Sequence, residues 1–374
     1  MVEKSEYAEV VDYSEAEILR RAMQEMGKRT LTFPNKRGVY IDQDTVGAHG
    51  ALYEYRGSLA HTWCATMEGL GTKNWLAEWM RKYAGTGRSY YKGIGIDTML
   101  AAGNDLIAQG PMPVVYLDEV AAHSYNWGMD ELRRGDLVES FYRGCEMCGA
   151  ALPAGESSSL KYLVNAEAPV ESAPTLSGVM IGIIAPRERK ITGRKLQLGD
   201  HIIAVKSSGI HMNGLSLVIK RGLELPDKFL TRLPNGNTLG DEALIPATCY
   251  VNLVEALQEN EVDIHALLPG TGSGVAKVAF DKRPHTYRIH SWFKQIPPLF
   301  LFMKELGVTL EDCLTTFNWG AGYYVYVPPE EAERTIAIGK KAGYEMMDVG
   351  IVEEGDREVI FGPANNLVLP PPGK

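Results

Sequence analysis

Short apolar runs alternate along the chain with stretches in which apolar positions recur every three or four residues, the periods of strands and helices. Residues 14–27 open on Ser14 with Glu17 three positions on and close on Gly27, start and stop signals of a short helix. The pattern then predicts a strand in TWCATMEG, a small-residue helix from Ile94 to the stop at Gly110-Pro111, and a buried strand in PVVYLDEVAAH. A helix over 130–151 and a strand in PTLSGVMIGIIAP follow. Strand and helix in that alternation mark an α/β or α+β domain.

The charged segment RERKITGRKLQLGD, poor in large apolar residues, separates this domain from a second one, so the expected division is 1–186 and 187–374. The second half repeats the mixed logic: strand HIIAVKS, turn SGIHMNG, helix LSLVIKRGLE, helix ATCYVNLVEALQEN, glycine loop PGTGSG, strand YYVYVP and helix PEEAERTIAIGKKAG. Pro328 and Pro329 stand just ahead of that last helix, where a missing N–H costs least. The tail PPPGK is expected to be unstructured.

Composition narrows the function classes. With 47 Asp and Glu against 38 Lys and Arg, the net charge is −9 over 374 residues, which argues against a nucleic-acid binder. The longest apolar runs fall far short of the roughly 20 residues that cross a bilayer, so no membrane partner is expected. The polar, acidic N-terminus lacks the features of a secretory signal and points to the cytoplasm. Five cysteines read as reduced thiols. Cys145 and Cys148 form a single C-x-x-C on a helical pattern, which suits packing better than a four-ligand metal site.

The candidate chemistry lies in acidic residues at element ends: Glu68 in MEGLGTK, Asp97 and Asp105 on the small-residue helix, Asp118 in VVYLDEV and Glu156 in LPAGES. Eight residues at about 100° each leave Asp97 and Asp105 about 80° apart, close enough to look into one cleft. Singly, such residues are caps or solvated charges; together they suit a cation held with the phosphates of a nucleotide. Residues 68–73, EGLGTK, add glycines, a hydroxyl and Lys73, the means by which backbone amides and a cation receive phosphate, although a plain turn has the same composition. PGTGSG is similar in kind, with a structural turn the simpler reading. Of the eight histidines, His211 stands in a glycine-bounded loop between strand and helix and is the best acid–base or orienting candidate, with Asn213 able to cap the following helix and His265 second. No serine-hydrolase, zinc-protease, kinase or dinucleotide fingerprint is present.

These phrases resemble those of the aminoimidazole ribonucleotide synthetase family, the phosphoribosylformylglycinamidine cyclo-ligases of purine biosynthesis. The family's DGVGTK, GIDxxxxxxND, strand-ending LD and GGET correspond to MEGLGTK, GIDTMLAAGND, VVYLDEV and PAGES here. Its SSGxHSNGYSLVRK, LLxPTxxYV and TFNxGxG correspond to SSGIHMNGLSLVIK, ALIPATCYV and TFNWGAG, in order from about Gly50 to Gly362.

The resemblance implies a two-domain α/β (α+β) protein, an N-terminal domain lending strands to an intersubunit barrel, a C-terminal α/β domain, and a homodimer. It implies ATP and Mg²⁺, with formylglycinamidine ribonucleotide closed to the imidazole by an ATP-dependent ligase reaction. Gly71, Thr72, Lys73, Asn104 and Asp105 would receive the nucleotide; Glu68, Asp97, Asp105, Asp118 and Glu156 would face the metal. Lys73, His211 and Asn213 would serve catalysis, the last two facing the interdomain cleft. Glu68 replaces the family's Asp, AGES replaces GGET and HMNGL replaces HSNGY. These departures keep open a relative that phosphorylates another small molecule, or an inactive scaffold of the same fold.

Overall fold

The computed structural model describes residues 13–45 and 50–373; the N-terminal residues read for a signal and Lys374 of the tail lie outside the described residues. The chain divides into two compact units, 1–103 with 113–183 and 104–112 with 184–374.

In the first unit the helices are α1 (Tyr13–Lys28), α2 (Lys73–Tyr83), α3 (Ile94–Leu106, its last turn grouped with the second unit) and α4 (Glu131–Cys148). The strands are β1 (Val39–Ile41), β2 (Tyr53–Tyr55), β3 (Thr62–Gly69), β4 (Met112–Ala122), β5 (Ala151–Ser159) and β6 (Thr175–Ile184). β1 and β2 pair by themselves, and the other four form a sheet in the order β3, β6, β4, β5. β4 is almost continuously apolar and nearly all buried, as a strand covered on both faces must be. α3 and α4 approach closely because glycines line their contact: a Cβ at Gly95 would lie 2.6 Å from the Phe141 nitrogen. β5 is absent from the sequence expectation. Its small and polar residues ALPAGESSS have weak strand preference, and parallel pairing with β4 holds them extended.

A buried knot stiffens this unit. Glu78 accepts hydrogen bonds from the Tyr91 hydroxyl (2.7 Å), the Trp127 indole (2.6 Å) and the Arg133 guanidinium (2.9 and 3.0 Å). Arg133 also lies over the Trp127 ring. Cys145 and Cys148 are both buried thiols with no disulfide between them, and burial pushes the Cys145 thiol well above its ordinary range, the packing role the sequence predicts.

The second unit carries β7 (His201–Lys206), β8 (Ala266–Pro269), β9 (His285–Ile289), β10 (Ala321–Val327), β11 (Met346–Glu354), β12 (Glu358–Phe361) and β13 (Leu367–Leu369) in one sheet. The order is β13, β12, β9, β11, β7, β10, β8, with only the β9–β12 pair parallel among the recorded pairings. Its helices are α5 (Leu215–Glu224), α6 (Leu239–Ala243), α7 (Val251–Glu259), α8 (Pro298–Glu305), α9 (Leu310–Thr316) and α10 (Ala332–Lys341). Every residue of β10, AGYYVYV, is buried between β7 and β8. α7 starts at Val251, later than its periodicity suggests, because residues 246–250 run as irregular chain behind Pro246. Pro371 is buried, so the tail packs down instead of hanging free.

Candidate functional site

In the first unit β3 delivers Glu68 to an exposed position, and a left-handed Gly71 (φ 75°) turns the chain into α2. Gly71 and exposed Thr72 therefore stand at the start of an 11-residue helix, the end that favours an anion. Lys73 does not reach out beside them. It is wholly buried, its Nζ 2.7 Å from Oδ2 of the equally buried Asp97 on α3. The two residues expected at the phosphates and at a metal are thus ion-paired with each other.

Asp118 on β4 is 6% exposed and stands opposite Gly155 on β5. A Cβ at position 155 would come within 1.8 Å of its Oδ1, which is why glycine occupies the middle of AGES. Burial raises the Asp118 carboxyl to about 7 despite a hydrogen bond from its own backbone, and the charge of Glu156 adds to the rise. Glu156 is exposed and accepts the Ser157 N–H at 2.7 Å. Both carboxylates line a cavity of about 360 Å³ with Arg20 and Gln24 of α1; Arg20 is itself paired with Glu17. One buried and one exposed carboxylate side by side fit Mg²⁺, which takes one or two protein oxygens and fills its octahedron with water and phosphate.

Among the described residues no three His, Cys, Asp or Glu side chains converge as a metal site. Asp97 is ion-paired with Lys73, and Asp105, eight residues along the same helix, is grouped with the second unit.

That second unit builds its own polar centre around residues 246–250. Asn104 is 4% exposed and spends its amide on this segment, donating to the Thr248 carbonyl at 2.9 Å and accepting the Tyr250 N–H at 3.0 Å. In this position it clamps the chain. Burial foremost raises the Tyr323 phenol well above its ordinary range, and the charge of half-buried Asp105 adds to the rise.

His211 is 4% exposed, so it does not project from its loop as expected. Its main chain is left-handed (φ 58°), its ring lies 6.2 Å from that of Tyr250, and its Nε2 accepts the Thr248 N–H at 3.4 Å. Asn213 is half-buried and its amide faces Gly272 of the PGTGSG loop; α5 is capped by Gly214 (φ 87°), not by Asn213. His265 bridges buried Asp200 (2.8 Å) and surface Asp263 (3.4 Å), a structural post.

Sequence reasoning gave no role to Thr248 or Asn318. Asn318 accepts from the Ser207 hydroxyl (3.1 Å) and the Gly320 N–H (2.9 Å) and donates to the Gly209 carbonyl (2.8 Å), tying TFNWGAG to the SSGIHMNG loop. The signal was a polar residue inside each apolar phrase.

Residues 197–362 match the model of the AIR synthase related protein, C-terminal domain. A phosphoribosylformylglycinamidine cyclo-ligase of Alkaliphilus oremlandii is 33% identical over 304 residues, 79% of this chain and 83% of its own. That of Pyrococcus horikoshii is 31% identical over 90% of this chain and 92% of its own. Among solved structures, the hydrogenase maturation protein HypE in complex with ATP superposes with a TM-score of 0.59 at 16% identity, covering 89% of this chain and 91% of HypE, a likeness of fold. The motif phrases run in family order, their residues build the polar centres of both units, and relatives match along nearly the whole length: the chain belongs to the phosphoribosylformylglycinamidine cyclo-ligase family.

Proposed function

We propose that the protein closes the imidazole ring of aminoimidazole ribonucleotide from formylglycinamidine ribonucleotide at the expense of ATP, as a C–N ligase of purine biosynthesis. Family membership over most of the chain carries the reading. The formyl amide oxygen attacks the γ-phosphorus and ADP leaves. The internal amine then attacks the activated carbon, phosphate departs, and loss of a proton completes the aromatic ring. Such a reaction asks the protein for positioning and charge neutralisation more than for a nucleophile.

Asp118 and Glu156 are the residues that would hold Mg²⁺, which when bound neutralises phosphate charge. The amides following Gly71 and Thr72 receive phosphate oxygens, with the Lys73–Asp97 pair bracing α2 against α3 behind them. His211 and Asn213 orient the substrate amide. The working form is a homodimer in the cytoplasm. Supporting this, β3 and its surroundings leave Trp63 39%, Met67 64%, Leu52 63% and Leu59 51% exposed, apolar surface of the kind a second copy covers. Sedimentation should give twice 41.2 kDa.

The deciding experiment supplies formylglycinamidine ribonucleotide, ATP and Mg²⁺ and follows imidazole formation together with phosphate release. Both products in equal amounts are expected. Phosphate without imidazole would indicate another acceptor, and neither product would indicate a scaffold.

A further inference from the structure

The charged stretch 186–196, PRERKITGRKL, carries Arg187, Arg189, Lys190, Arg194 and Lys195 against the single acid Glu188, in a protein whose net charge is −9. The second unit holds its backbone in place. The Ile191 N–H donates to the Gln109 carbonyl at 2.9 Å, and Gln258 Nε2 bridges the carbonyls of Gly110 (2.8 Å) and Arg189 (3.5 Å). Arg283 donates to the carbonyls of Leu196 at 2.8 Å and Gly193 at 3.1 Å. A Cβ on Gly110 would lie 2.4 Å from the Arg189 carbonyl oxygen, so a glycine is what lets the two segments touch.

One side of this stretch lines a cavity of about 480 Å³, within the size range of small-molecule sites. Pro186, Ile191, Val262 and Ile264 give it an apolar wall. Gln258 and His265, 7% and 6% exposed, are buried polar groups of the same lining. Half-buried Arg189 and exposed Lys190 also line it, and among the described residues neither has a carboxylate partner. The acids are largely spent: Glu188 pairs with Arg187 at 3.4 Å and Asp263 with Lys195 at 2.5 Å, leaving Glu261 at an exposed position. An exposed lysine without a partner is an ordinary solvated charge. A half-buried guanidinium beside a hollow has given up part of its hydration with no anion in return, and an anion would restore the balance.

We propose that this cavity binds a nucleoside monophosphate, its phosphate held by Arg189 and Lys190 and its ring laid against Ile191, Val262 and Ile264. A phosphate monoester carries a charge of about −1.5 to −2 at neutral pH, which two cations match, and a guanidinium meets two of its oxygens at once. A longer polyphosphate chain would bring charge that nothing further in the cavity neutralises, with Glu261 opposing it. The cavity shares no residue with those proposed for ring closure, so it is a second site and stands independently of that reading.

The probe is 8-azido-AMP, photolysed with the parent chain without Mg²⁺, and the labelled peptides are located by mass spectrometry. Labels within 186–195 and 258–265, protected by excess AMP, are expected. Labels confined to the β3–α2 or β4–β5 peptides would place the nucleotide at the proposed reaction site and overturn the proposal. By calorimetry AMP should bind more tightly than ADP or inorganic phosphate; inorganic phosphate binding as tightly as AMP would refute the part given to the ring. Arg189→Gln should weaken AMP about 10- to 100-fold, as a lost charge-assisted pair does, and leave turnover unchanged. Lys190→Glu reverses a charge at an exposed position and keeps the test open should Arg189→Gln not fold. AMP affinity equal to the parent's in the folded variants would sink the inference.

Discussion

Asp97 and Asp118 are both buried carboxylates of the first unit, and their surroundings differ in one respect. Asp97, with no exposure, has the ammonium of Lys73 at 2.7 Å. Asp118, 6% exposed, has as its acting neighbour the like charge of Glu156 and opens onto a cavity. The first arrangement balances its charge and joins α2 to α3. The second stays costly as a bare dianion, so burial with a counter-charge makes structure, whereas burial beside a like charge leaves a carboxylate that a cation would relieve.

The largest effect should come from breaking the complete pair. Lys73→Met leaves Asp97 buried without its cation and should cost about 3–5 kcal/mol in chemical denaturation. Adding Asp97→Leu should restore much of the loss; a single variant as stable as the parent would show that the pair carries no such weight.

Next comes the pH dependence of Asp118. Its folded carboxyl is raised from 3.8 to about 7, so between those values the native state holds a proton that the unfolded chain has lost. Stability therefore falls as pH rises from about 4 to about 7, then levels, by at most a few kcal/mol. Asp118→Asn should remove that slope, and Mg-ATP should raise the thermal midpoint of the parent more at pH 8 than at pH 5. Equal slopes in parent and variant would dismiss Asp118 as their source.

Gly155→Ala tests the contact that seats Asp118, since the added Cβ would meet Oδ1 at 1.8 Å. A stability loss of about 1–3 kcal/mol is expected, with weaker Mg-ATP binding by calorimetry; a variant that binds as the parent does would mean the carboxylate has room to move. The smallest effect belongs to Glu68→Gln at its exposed position, within about 0.5 kcal/mol of the parent's stability. A change as large as that of Gly155→Ala would place Glu68 with Asp118 and Glu156.

The local elements were readable because each is written in its own residues. TWCATMEG is β3 and LSLVIKRGLE is α5, residue for residue, and the small-residue helix begins at Ile94 as its pattern says. Periodicity, caps and glycine stops act within a few positions and need no distant partner. Motif order likewise pointed to the family. What the sequence could not assign is how the charged and polar groups are spent. Lys73 and Asp97 look like independent charges in a string and are an ion pair in space. Asn104 looks like a nucleotide contact and clamps a segment more than 140 positions away. β5 has almost no strand preference of its own and exists because β4 lies beside it. In each case the deciding term is the electrostatics or hydrogen bonding of a buried group, set by whichever neighbour folding brings within about 3 Å, and that neighbour has no fixed distance along the chain.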